Sequence, residues 1–164
     1  MEYLFIKWLH ILSATLMFGT GLGSAFYKWR TDRTGNLQAI YITNRNVVLA
    51  DWLFTTPSVF IQPITGFWLI HRLDLPVLEP WVMVSLILFV IAGMCWLPVV
   101  YLQIKMSDMA CDALQSNQPL PPGYQRLANT WFWLGVPAFS AIIAVYALMV
   151  AKPTLAFPLA SISF

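Results

Sequence analysis

The chain has 164 residues, 59% of them hydrophobic and 10% charged, with a mean hydropathy of +0.70. Soluble domains carry about 25% charged residues, so this composition excludes the soluble globular class and points to a membrane protein. The net charge of +2 comes from scattered Lys and Arg and gives no nucleic-acid signal, and the length suits a single integral membrane domain over residues 1–164.

Four stretches meet the spanning requirement of about 20 mostly apolar residues. They are residues 4–26, 47–70, 81–103 and 130–151, and an apolar tail follows Pro153. The expected fold is all-α: an antiparallel transmembrane four-helix bundle. Gly23-Ser24-Ala25 looks like a signal cleavage site, yet the apolar core before it is too long and Lys28, Arg30 and Arg33 follow rather than precede it. The first helix is therefore expected to be retained.

The first stretch carries Lys7, His10, Ser13, Ala14, Met17 and Gly21 along one helical face. An ionisable group inside a spanning helix costs about 2.5–3.5 kcal/mol on insertion scales, which makes His10 a functional candidate. The run Phe18-Gly19-Thr20-Gly21-Leu22-Gly23-Ser24 follows a helical apolar segment rather than a strand, so it is no phosphate loop. Gly19 and Gly23 read as a close helix-packing surface, one that would also admit a flat cofactor.

Residues 31–46 form a polar connector, expected to be partly helical along the surface. Asp51 opens the second span; there it is either stabilised by the helix macrodipole or takes part in a proton relay. Pro57, Gln62 and Pro63 interrupt this helix, so backbone carbonyls are freed and Gln62 needs a partner within the bundle. His71 ends it, before a tight turn from Arg72 to Pro76, and Pro80 suits the first turn of the third helix. The third helix contains Cys95, far in depth from Cys111 and without C-x-x-C spacing, so neither a disulfide nor a thiolate metal site is indicated. Trp52, Trp68, Trp81, Trp96, Trp131 and Trp133 lie in the spans and read as an interfacial aromatic belt.

Lys28, Arg30, Arg33, Arg45, Lys105 and Arg126 fall on one side of the membrane, against Lys7, Arg72 and Lys152 on the other. The positive-inside rule then puts both longer loops in the cytoplasm and both termini in the periplasm of a bacterial inner membrane. His10 and His71 share the outer half, His10 about 9 Å deep and His71 nearer the surface. Imidazole is the usual axial ligand of membrane b-type haems. His10 is thus the leading haem and metal candidate and His71 the second, although ligands of one haem should lie at similar depth. Lys7, Arg72 and Lys152 are the cations able to meet porphyrin propionates.

Ile6-Lys7-x-Leu9-His10-Ile11, with Phe18, Gly21-Leu22 and Phe26 behind it, resembles the first helix of HemJ-type protoporphyrinogen oxidases. Those proteins belong to a wider group of small four-helix membrane proteins that includes the CopD copper-resistance proteins. The likeness continues through Leu53, Pro57 and Thr65-Gly66-x-x-Leu69, Arg126-x-x-Asn129, and Met149-Val150-Ala151-Lys152-Pro153. Ala50-Asp51-Trp52-x-Phe54-Thr55 is most similar to the sister family called domain of unknown function twenty-two sixty-nine. The resemblance implies haem b held by His10. It also implies a lysine early in the third helix, where this chain has Ser85.

Together these readings lead to a haem b-binding inner-membrane redox protein, acting in electron transfer or as an oxidoreductase on a porphyrin or quinone. Its expected partners are the lipid bilayer, a quinone or another membrane redox component, and further copies of itself. The alternative is a non-catalytic accessory or copper-handling subunit with Met17, Met83 and Met94 as soft ligands.

Overall fold

The computed structural model describes residues 1–153, and the apolar tail expected after Pro153 lies outside the described residues. Among the described residues, four helices are long and apolar enough to cross a membrane: α1 (Glu2–Asp32), α2 (Leu37–Arg72), α3 (Pro80–Gln115) and α4 (Gly123–Ala151). They form an antiparallel transmembrane bundle joined by short turns.

Each helix is longer than its apolar stretch. Lengths of 31, 36, 36 and 29 residues correspond to about 44–54 Å, against a hydrocarbon layer of about 30 Å. The surplus turns project at the end that carries Arg30, Arg33, Arg45, Lys105 and Arg126, called here the basic end. The connector expected over residues 31–46 is mostly one of these projections. Only 33–36 lie outside helix; the Asn36 side chain accepts from the Ala39 N–H at 3.0 Å, and α2 starts at Leu37. This segment does not lie along the surface, because Ile40, Asn44 and Val47 are buried on its inner face.

Burial is inverted relative to a soluble protein. Leu4, Phe5, Trp8, Ile64, Leu97 and Trp133 are all more than half exposed, while Ser13, Asn44, Thr55, Ser58, Thr65 and Ser85 are buried. That is the arrangement hydrocarbon solvent imposes: apolar side chains face lipid at no cost and polar ones turn inward to find partners. The tryptophans divide accordingly. Trp52 and Trp133 face outward as a belt would, but Trp81 and Trp131 are buried in the bundle.

One irregularity shapes α2. Between Asp51 and Thr55 the helix widens into a π-turn, and the Thr56 N–H reaches back to the Asp51 carbonyl. Pro57 explains the widening: in a regular helix its ring would strike the Leu53 carbonyl, and it has no N–H to offer. Pro63 lies inside the following helical segment without ending it.

The helices do not pair evenly. α3 and α4 pack along their lengths, and α1 packs on α2 throughout. The first half of α2 also packs on α3, whereas the segment Thr56–Arg72 turns to α1 and barely meets α3. Away from the basic end, the bundle therefore parts into two hairpins. α1 meets α4 sparsely, through Phe18 set edge-on to Phe139 and Tyr146, with centroids 5.6 and 5.7 Å apart. Gly21 permits this approach, since a Cβ there would stand 2.9 Å from Phe139 Cζ. Gly19 and Gly23, the expected packing pair, have open space where a Cβ would go.

Candidate functional site

The His10 stripe turns inward, and α2 receives it. His10 Nδ1 lies 2.7 Å from Thr65 Oγ1, and the Thr65 hydroxyl donates to the Ile61 carbonyl at 2.6 Å. A hydroxyl has one proton to give, and with that proton on the Ile61 carbonyl Thr65 accepts from His10. This bonding assigns the proton to Nδ1 and leaves the lone pair on Nε2. The expectation that Gln62 needs a partner is met on the same surface: its Nε2 donates to the His10 carbonyl at 2.7 Å and to Ser13 Oγ at 2.6 Å. Gly66 lies against the imidazole, where a Cβ would stand 3.4 Å from His10 Cε1. The His10 carbonyl and the His10 ring are thus both held against α2.

The other expected site residues lie apart from this cluster. Lys7 is exposed, with Nζ 5.8 Å from the Tyr3 ring centroid. His71 and Arg72 are exposed at the end of α2. His71 lies six residues beyond Thr65, about 9 Å further along the axis. Lys152 is exposed at the C-cap of α4 in a left-handed conformation. Ser85 is buried and donates to the Trp81 carbonyl of its own helix at 2.7 Å. Among the described residues no group of three or more His, Cys, Asp or Glu could hold a metal ion. Of the three methionines, Met17 turns inward and Met94 is exposed.

A second polar constellation was only partly visible in sequence. Asp51 does not open a helix: α2 begins fourteen residues earlier, so the macrodipole reading fails. The carboxyl sits instead in the π-turn, 6% exposed, with Thr55, Gln103 and Trp96 grouped around it. Asp51 Oδ2, Thr55 Oγ1, Trp96 Nε1 and Gln103 Oε1 all lack a hydrogen-bond partner among the described residues, as does Trp131 Nε1. Every one of these residues lines a single cavity of about 380 Å³ between the helices. Leaving a buried polar atom unpaired costs about 1–3 kcal/mol, so five such atoms around one space mark it as a place where partners belong. Pro57 was the available sequence signal; the convergence of Trp96 and Gln103 on Asp51 depends on helix pairing and had none.

The third constellation lies at the basic end, where Lys28 is 1% exposed. Sequence placed it as a charge beyond a membrane exit. Its Nζ donates to Asp32 Oδ2 at 2.8 Å and to the Tyr124 hydroxyl at 2.9 Å. Tyr124 donates to Asp32 Oδ1 at 2.8 Å, and Asn44 Nδ2 donates to the Tyr124 oxygen at 2.8 Å. The Lys28 ammonium also lies 5.7 Å from the Trp131 ring centroid. This closed network ties α1, α2 and α4 together, and Met106 and Ala110 of α3, both 0% exposed, pack in the same region.

A membrane bundle with an inward-facing histidine and an intramembrane polar cavity defines an integral membrane protein. Over residues 4–153 the chain matches the family described as Predicted integral membrane protein (DUF2269), and it belongs to that family. No curated protein and no solved structure matches it.

Proposed function

We propose that this protein binds haem b in a bacterial inner membrane, with His10 as an axial ligand, and serves as a redox component there. The observation that carries the reading is the hydrogen bond from His10 Nδ1–H to Thr65. Metal-ligating histidines commonly donate their other ring N–H to a fixed acceptor, which sets the tautomer and raises ligand basicity. Here that acceptor is already in place, and Nε2 keeps its lone pair. The parting of the two hairpins at this level supports the fit of a flat macrocycle, since no tightly packed core must be displaced.

When bound, haem supplies one-electron chemistry at potentials set by its ligands and surroundings. The chain's own contribution is to hold His10 through Thr65, Gln62 and Ser13. Lys7, Arg72 and Lys152 offer charge at the same end of the bundle, suited to propionates. The likeness of the first helix to HemJ-type and CopD proteins supports the reading. Ser85 in place of their third-helix lysine favours electron transfer over porphyrinogen oxidation. The arginines and lysines of the basic end favour a cytoplasmic location for that end, with both termini periplasmic.

The test is haem titration of the purified protein in detergent. A Soret band that saturates near one equivalent in the wild type, and is absent from His10→Ala, is the expected result. A wild type that stays colourless with excess haem overturns the reading.

A further inference from the structure

We infer that the cavity around Asp51 is a binding site for the head group of a lipid-soluble quinone or quinol. The site stands independently of the haem reading, because His10 is not among its lining residues. Elsewhere in the bundle buried polar groups find partners, as Lys28, Asn44, Ser13 and Thr65 do. Among the described residues, those that carry the unpaired atoms all line this cavity. Asp51, Thr55, Gln103 and Trp131 are each 5–6% exposed, so bulk solvent does not satisfy them.

Their chemistry restricts the ligand. The indole N–H groups of Trp96 and Trp131 are donors only; Trp96 has the Asp51 carboxyl near it, and Trp131 needs an acceptor oxygen. Gln103 Oε1 is an acceptor and needs a donor, and Asp51 Oδ2 also has room for a partner. The rest of the wall is aromatic or aliphatic, including Phe18, Phe89 and Phe139, which suits a flat apolar body. A metal cation leaves the Trp131 indole unmet. A fatty acid sets a second carboxyl group beside Asp51, and a simple alcohol brings a single oxygen. A quinol ring has two hydroxyls on opposite sides, each able to donate and accept, and its quinone form keeps an acceptor for the Trp131 indole. A volume of about 380 Å³ lies within the range of small-molecule pockets. The wall belongs to the half of the apolar zone nearer the basic end, a region a membrane-dissolved ring can reach from the lipid.

The experiment is equilibrium binding of decylubiquinone and decylubiquinol to the purified protein in detergent, with palmitate as competitor. One saturable site is expected. Asp51→Asn should weaken quinol binding at least tenfold, and Trp131→Phe should weaken both forms at least tenfold. Gly135→Leu provides a control that does not depend on removing a buried polar group: Gly135 lines the cavity, and a Cβ there meets nothing within 4 Å. This variant should fold, keep any Soret band and lose quinone binding, whereas His10→Ala should lose the Soret band and keep quinone binding. Absence of saturable binding, equal displacement by palmitate, or binding unchanged in Asp51→Asn, Trp131→Phe and Gly135→Leu overturns the inference.

Discussion

At the scale of single residues, the protein treats its ionisable groups in three different ways. His10 is held against the Thr65 hydroxyl, Lys28 by a closed set of oxygens, and Asp51 lies among Thr55, Gln103 and Trp96 with Oδ2 unpaired among the described residues. Each arrangement has its own consequence. Thr65→Val removes the acceptor of the Nδ1 proton, and loss of such a supporting bond typically lowers metal-centre affinity about 10–100-fold. Haem titration of this variant should show a drop of that order while the fold persists. Lys28→Ala leaves Asp32 and the Tyr124 hydroxyl without their cation in a buried site, a change that costs about 3–5 kcal/mol. Thermal unfolding in detergent should show a clear loss for this variant. Arg30→Ala, an exposed cation on the same helix, should stay within about 0.5 kcal/mol. His10 stood out in sequence because an imidazole in an apolar run is costly, and the inward face this cost implies is the one that meets Thr65. Lys28 was misread because a lysine just past an apolar stretch normally marks the membrane boundary, and the helix overhang that buries it depends on residues 96 positions away.

At the scale of elements, the spans were legible and their ends were not. Hydropathy reports where a helix is in lipid, whereas α2 and α3 continue for several turns into the basic end under different rules. There Ile40, Met106 and Ala110 pack a small core of the soluble kind. The same difference explains Asp51. Its place at the start of the apolar run suggested a helix terminus, but the helix had begun at Leu37. Glycine positions separate packing from spacing in the same way. Small residues four apart suggested Gly19 and Gly23 as the close contact, yet the aromatic ring of Phe139 lies over Gly21. Gly21→Leu should therefore overpack the α1–α4 contact and destabilise by about 1–3 kcal/mol. Gly19→Ala meets nothing within 4 Å and should be neutral or stabilising by up to about 1 kcal/mol through helix propensity. Comparing the two melting curves checks both expectations.

At the scale of the whole molecule, the bundle is closed at one end and parted at the other. The Lys28–Asp32–Tyr124–Asn44 network and the apolar core beneath it hold three helices at the basic end. Beyond them the α1–α2 and α3–α4 hairpins separate, with the cavity on one side of the transition and His10 further along. The orientation of this asymmetry can be read by single-cysteine labelling in a background with Cys95 and Cys111 replaced by Ala. Val77→Cys in the α2–α3 turn should react with a membrane-impermeant maleimide in intact spheroplasts, and Gln118→Cys in the α3–α4 turn only after lysis. The opposite pattern would invert the topology and place His10 near the cytoplasmic face.

The central claim is that His10 holds a haem, and its most direct measurement is the pyridine haemochrome content of protein purified from haem-sufficient cells. Close to one haem b per chain is expected in the wild type and less than a tenth of that in His10→Ala, with both proteins folded to the same extent. Wild-type protein without haem, or equal haem in the two proteins, would contradict it.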